Sequence, residues 1–138
     1  MSAAIATIFG IGYLRPAPGT WGSLFALVLA ILLLESFGII GFAIALLSTS
    51  VFGWWATSEY LKRTANKDPS EVVIDELIGL WIAVLPIAWA VFFYNLPSLD
   101  LWPGWISSFF FFRIFDIYKP SLIGWADKKN GTLGVMLD

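Results

Sequence analysis

The chain has 138 residues, which bounds it to one domain, residues 1–138. Its apolar fraction of 59% and charged fraction of 13%, with eight Trp and twelve Phe, describe a membrane protein rather than a soluble enzyme with an oversized core. The net charge of −2 offers nothing to a nucleic acid, and the absence of Cys and His excludes disulfides, Cys/His zinc sites, thiol nucleophiles and imidazole bases.

Residues 1–19 are mildly apolar and end in Arg15-Pro-Ala-Pro-Gly19, where Pro and Gly forbid a continuing helix. Thr20 has the chemistry of an N-cap for the apolar run Trp21 to Leu34. Glu35-Ser36-Phe37-Gly38 is expected to interrupt that run before a second one extends from Ile39 to Tyr60. The pattern predicts a helical hairpin over 21–60 with a short first arm.

Residues 61–72 are polar, and an apolar run over 73–94 follows, with Asp75 and Glu76 near its start and Pro86 placed to kink it. Asn95 to Gly104 reads as a loop, 105–119 as a fourth apolar run ending at Pro120, and 121–138 as a Gly-rich tail. The expected fold is therefore all-α, a small polytopic membrane bundle of about four membrane-embedded helices. In an up-down order all eight basic residues, Arg15, Lys62, Arg63, Lys67, Arg113, Lys119, Lys128 and Lys129, lie at or near one face. The positive-inside rule puts that face in the cytoplasm, with Trp102 and Trp105 at the far interface.

Three polar clusters share this face, and each has a plain reading. Pro18 to Ser23 is an N-capped helix start, yet free N–H groups there, with hydroxyls on Thr20 and Ser23 and close approach at Gly19 and Gly22, also suit a phosphate. Glu71, four residues before Asp75, satisfies a helix dipole; Asp75 and Glu76, flanked by apolar residues, need partners and have the hard oxygens that Mg²⁺ prefers. Arg113, Asp116 and Lys119 drift along one helical face; they form an internal ion pair with a snorkelling Lys, or a metal-binding Asp116 with two phosphate-holding cations. Asp127 with Lys128 and Lys129 reads by default as a solvated loop. Together the clusters supply carboxylates, cations and an anion-ready helix start beside lipid, the components of phosphoryl transfer on a lipid. The alternative is a non-enzymatic small transporter or ion-binding subunit, which charges midway along the helices would favour.

Pro16-Ala-Pro-Gly-Thr-Trp-Gly-Ser23, Asp68-Pro-Ser-Glu-Val-Val-Ile-Asp-Glu76 followed by Gly79, and Phe112-Arg-Ile-Phe-Asp-Ile-Tyr-Lys-Pro120 with Gly131-Thr-Leu-Gly-Val-Met-Leu-Asp138 closely resemble the phosphatidylglycerophosphatase A family over nearly the whole chain. The resemblance implies a Mg²⁺-dependent enzyme of the bacterial inner membrane that hydrolyses phosphatidylglycerol phosphate to phosphatidylglycerol and phosphate, with its site facing the cytoplasm. By that resemblance the acidic positions fall on Asp75, Glu76, Asp116, Asp127 and Asp138, and the motif lysine on Lys119. The expected site has Asp75, Glu76, Asp116 and Asp127 as metal ligands, Asp75, Asp116 and Lys119 as catalytic residues, and Arg15, Thr20, Ser23, Arg113 and Lys119 on the substrate. Water attack is the expected route and a covalent aspartyl-phosphate the runner-up. The family pattern carries a further acid and a last apolar segment after Val-Met-Leu-Asp, so a helix beyond Asp138 is expected.

Overall fold

A computed structural model describes residues 1–63, 71–118, Thr132 and Met136. Among these every regular element is helical: α1 (Ser2–Ala6), a 3₁₀ turn (Ile11–Tyr13), α2 (Pro18–Arg63), α3 (Ile74–Ala83), α4 (Leu85–Tyr94), a second 3₁₀ turn (Ser98–Leu101) and α5 (Trp102–Tyr118).

The long α2 is two arms rather than one rod. Gly38 has φ 64° and ψ −168°, a backbone region essentially reserved for glycine, and the helix breaks there. Phe25 and Phe52 line one cavity, whereas an unbroken helix would hold them about 40 Å apart. The chain thus doubles back, as the apolar pattern predicts. The position of the break differs from expectation. Glu35 and Ser36 remain helical, and the Glu35 carboxylate is satisfied by the Ser98 N–H at 3.2 Å. The first arm also begins earlier, at Pro18, and its twenty residues over 18–37 rise about 30 Å, long enough for a hydrocarbon core.

Small residues decide how the arms pack. Gly22, Ala26 and Ala30 recur every four residues along the buried side of the first arm, and Gly53, Ala56 and Thr57 are buried on the second. These positions let α3 lie close against both arms, the packing mode of helices that gain nothing from excluding water. A β-carbon on Gly22 would stand 3.0 Å from Val73, and one on Gly53 3.0 Å from Ile74. Trp81 of α3 joins the arms: its indole N–H donates to Ala26 O at 2.9 Å, and its ring centroid is 5.5 Å from that of Phe42.

Helices α3 and α4 meet at Val84 with a bend of 42°, where Pro86 enters the first turn of α4 and removes a backbone donor. The outward faces are apolar: Leu24, Val28 and Leu32 on one arm and Ile40, Ile44, Leu47 and Val51 on the other are all exposed. One described helix, α2, is long and apolar enough to cross a membrane, and the bent α3–α4 pair passes as a second candidate. Only 17% of the most apolar stretch of α2 is buried inside the protein, consistent with a membrane protein and unlike the core helix of a soluble one. Trp105, expected at the far interface, packs inside the protein. It is buried, with its indole N–H donating to Ser98 O at 2.8 Å.

Candidate functional site

The three polar clusters meet at one end of the bundle. Helix α2 starts at Pro18, with Ala17 O accepting from the N–H groups of Thr20 (3.1 Å) and Trp21 (3.2 Å). Ala17 is therefore the capping position and Thr20 lies inside the first turn, because Pro at the first helical position has its φ preset and no N–H to lose. Around Gly19 the other two clusters arrive. A β-carbon there would overlap Glu76 Oε1 and stand 3.2 Å from Arg113 Nη1. The close approach allowed by Gly19 and Gly22 thus serves Glu76, Arg113 and Val73 of the protein itself.

Helix α5 reaches α3 through a second glycine. A β-carbon on Gly79 would be 2.6 Å from the Phe112 ring, so only glycine lets α5 come this near. One turn beyond Phe112, Asp116 joins Asp75 and Glu76 in lining a cavity of about 200 Å³, with Gly79 and Met136 also in its wall. Arg113 Nη1 pairs with Asp116 Oδ2, so the internal ion pair forms.

Among the described residues, three atoms here are shielded from solvent and lack a hydrogen-bond partner: Asp75 Oδ1, Glu76 Oε2 and Arg113 Nε. Buried carboxylate oxygens left unpaired are costly, which makes the pair a candidate ligand site. Hard oxygens of this kind suit Mg²⁺, which takes one or two protein carboxylates and completes its shell with water and substrate phosphate. Among the described residues no three acidic side chains form a ready-made metal cage. The unpaired oxygens of Asp75 and Glu76 have the chemistry of a site with few protein ligands.

The remaining expected site residues are distributed as follows. Ser23 is buried with its hydroxyl donating to Gly19 O at 2.8 Å, so it bonds along its own helix. Thr20 is half-buried on the first turn. Arg15 is exposed and lines a separate cavity of about 450 Å³ with Tyr13, Pro18 and Glu71. Lys119, Asp127 and Asp138 lie outside the described residues.

Glu71 does not share a helical face with Asp75. It precedes α3 by three residues, because Val72 and Val73 are buried off the helix and the Val73 N–H donates to Ala6 O at 3.0 Å. Its Oε1 instead accepts from the Tyr60 hydroxyl at 3.0 Å. Nothing in the pattern of Tyr60 marks this contact. The only signal is a Tyr at the end of an apolar run, eleven residues before an acid.

The chain matches the family model described as Phosphatidylglycerophosphatase A over residues 4–138. It belongs to that family. As a member it is a phosphatase. A Bacteroides thetaiotaomicron protein named "Putative phosphatidylinositol-3-phosphatase" is 37% identical, over 97% of this chain and 81% of the relative. The phosphatidylglycerophosphatase A of Haemophilus influenzae is 35% identical over 97% and 77%, and that of Escherichia coli 30% identical over 97% and 72%. No solved structure matches the chain.

Proposed function

We propose that this phosphatase hydrolyses phosphatidylglycerol phosphate to phosphatidylglycerol and phosphate, with Mg²⁺, at the cytoplasmic face of a bacterial inner membrane. The observation that carries the reading is the convergence at Gly19, where the first turn of α2 meets Glu76 and Arg113 beside the unpaired oxygens of Asp75 and Glu76. Family membership and the names of the Haemophilus and Escherichia relatives support the substrate.

Asp75 and Glu76 would hold Mg²⁺, with Asp116 and Asp127 as further candidates. A bound Mg²⁺ supplies Lewis-acid stabilisation of charge at the phosphoryl group. Arg113 contacts the phosphoryl oxygens through its guanidinium and offsets their growing negative charge. Lys119 serves the same end. A carboxylate of the cluster takes the proton from the attacking water. The apolar outer faces of α2 support a site at the depth of a lipid head group, because Gly19 lies in the first turn of a helix whose body is suited to hydrocarbon. The end with Glu35 and Ser98 lies about 24 Å along α2 from Gly19, at the other end of the arm. Arg15, Lys62, Arg63 and Arg113, the basic residues among those described, support a cytoplasmic orientation of the Gly19 end. Charges gathered at one end also disfavour a transporter, whose ion sites sit near the midplane.

One observation favours a second substrate: the relative named for phosphatidylinositol 3-phosphate is as similar as the other two. Phosphate release by the detergent-solubilised chain, measured on both lipids with and without chelator, separates the readings. Mg²⁺-dependent turnover of phosphatidylglycerol phosphate at higher kcat/KM is expected. Preference for the inositol lipid would replace the substrate assignment, and full activity in chelator would remove Mg²⁺.

A further inference from the structure

We infer that the polar cavity beside Tyr13, Arg15 and Glu71 is a head-group subsite that recognises the hydroxylated part of the lipid, the segment between its phosphodiester and the phosphate to be removed. The inference rests on the lipid phosphomonoesterase reading above and deepens it.

Position is the first argument. Pro18 lines this cavity, and the next residue, Gly19, touches Glu76 and Arg113 of the carboxylate cluster. Successive Cα atoms are about 3.8 Å apart, so the two cavities flank one helix start. A head group laid across the start of α2 would place one end in each.

Chemistry is the second. Arg15 makes no ion pair among the described residues and supplies a free cation for a phosphodiester. Glu71 repels a phosphate, yet a carboxylate has about four acceptor positions and Tyr60 takes one of them. A carboxylate with spare lone pairs is the group that proteins use to hold sugar hydroxyls, as on the ribose of dinucleotides. The Tyr13 phenol, which shares a hydrogen bond with Tyr60, adds remaining hydroxyl capacity in the same wall.

Rigidity is the third. Gly12 packs directly on the Glu71 backbone carbonyl, at a distance that any β-carbon would violate, and the Val73–Ala6 hydrogen bond ties the same strand of chain down. The volume of about 450 Å³ is in the range of small-molecule sites.

The test compares two lipids that differ by the proposed ligand. Phosphatidylglycerol phosphate has a glycerol between its two phosphates; phosphatidic acid has the phosphomonoester directly on diacylglycerol. The ratio of their kcat/KM values is measured for the full chain in mixed micelles, for Glu71→Gln and for Tyr13→Phe, with thermal unfolding as a fold check. We expect the ratio to fall at least tenfold in Glu71→Gln and about threefold in Tyr13→Phe, whose exposed side chain makes misfolding no explanation. A ratio that stays constant in both variants, whether the two activities fall together or are untouched, overturns the subsite. An unsubstituted chain inactive on phosphatidylglycerol phosphate overturns the underlying reading and the subsite with it; an active one with an immovable ratio overturns the subsite alone.

Discussion

Gly19 is in contact with Glu76 because it has no side chain: the space a β-carbon would fill is occupied by the Glu76 carboxylate. Gly19→Ala should therefore separate stability from activity. Alanine in a helix is favoured over glycine by about 0.8–1 kcal/mol, and the obstructing atom is the movable end of a side chain. Thermal unfolding in detergent is expected to stay level or rise. Phosphate release should fall by about 100-fold, since a displacement near 1 Å at a reacting centre costs that much. Retained activity in a folded Gly19→Ala variant would mean that the placement of Glu76 does not matter.

Asp75 presents the same trade from the other side. Its Oδ1 is shielded and unpaired. Asp75→Asn removes a buried charge with almost no change of shape, so the protein should unfold at an equal or higher temperature. Turnover should drop at least 1000-fold (about 4 kcal/mol of lost transition-state stabilisation). Both readings come from one preparation, by thermal scan and phosphate assay. A lower unfolding temperature would show that Asp75 is a structural anchor.

The meeting of the three clusters was legible in the sequence because charges are rare in an apolar chain, and their order along an up-down bundle leaves them one end to share. The helices were legible for the same reason: little but Gly and Pro punctuates the runs. The hidden part depended on contacts that no local pattern encodes. Glu35 looks like a breaker until Ser98, sixty-three residues away, satisfies it. Thr20 looks like a cap until Pro18 starts the helix two residues sooner. Glu71 and Asp75 have helical spacing, yet Val72 and Val73 are drawn into the core before α3 begins. Trp105 has the composition of an interface anchor, and its burial with a bond to Ser98 O is not visible in that composition. For Glu35 and for the segment after Glu71, a long-range contact outweighs a propensity worth at most about 1 kcal/mol.

Gly38 makes the hairpin. Its φ of 64° with ψ of −168° is closed to residues with a β-carbon by their own backbone, although nothing else lies within 4 Å of the position. Gly38→Ala should thus destabilise by strain alone, by about 1–3 kcal/mol. The loss should appear as a lower unfolding temperature with kcat nearly unchanged at low temperature, since the site is at the other end of the arm. An unfolding temperature equal to that of the unsubstituted protein would show that the turn is not strained by a side chain.

Trp81 links both arms to α3 from a fully packed position, and its contribution can be divided. Trp81→Phe keeps a ring against Phe42 and deletes the N–H that donates to Ala26 O. Ala26 O already accepts within its helix, so the loss is one net hydrogen bond plus the smaller ring. The hydrogen bond contributes about 1 kcal/mol and the lost volume a further 1–2 kcal/mol. Trp81→Leu also removes the aromatic pair, which adds about 0.5–1.5 kcal/mol. Stability should therefore fall in the order native, Phe, Leu, as read by thermal unfolding in one detergent. Because Trp81 lies more than one turn from Asp75 and Glu76, both variants should keep the KM for phosphatidylglycerol phosphate within about twofold at temperatures where they are folded. A large rise in KM with unchanged stability would place Trp81 at the substrate rather than at the joint between the arms.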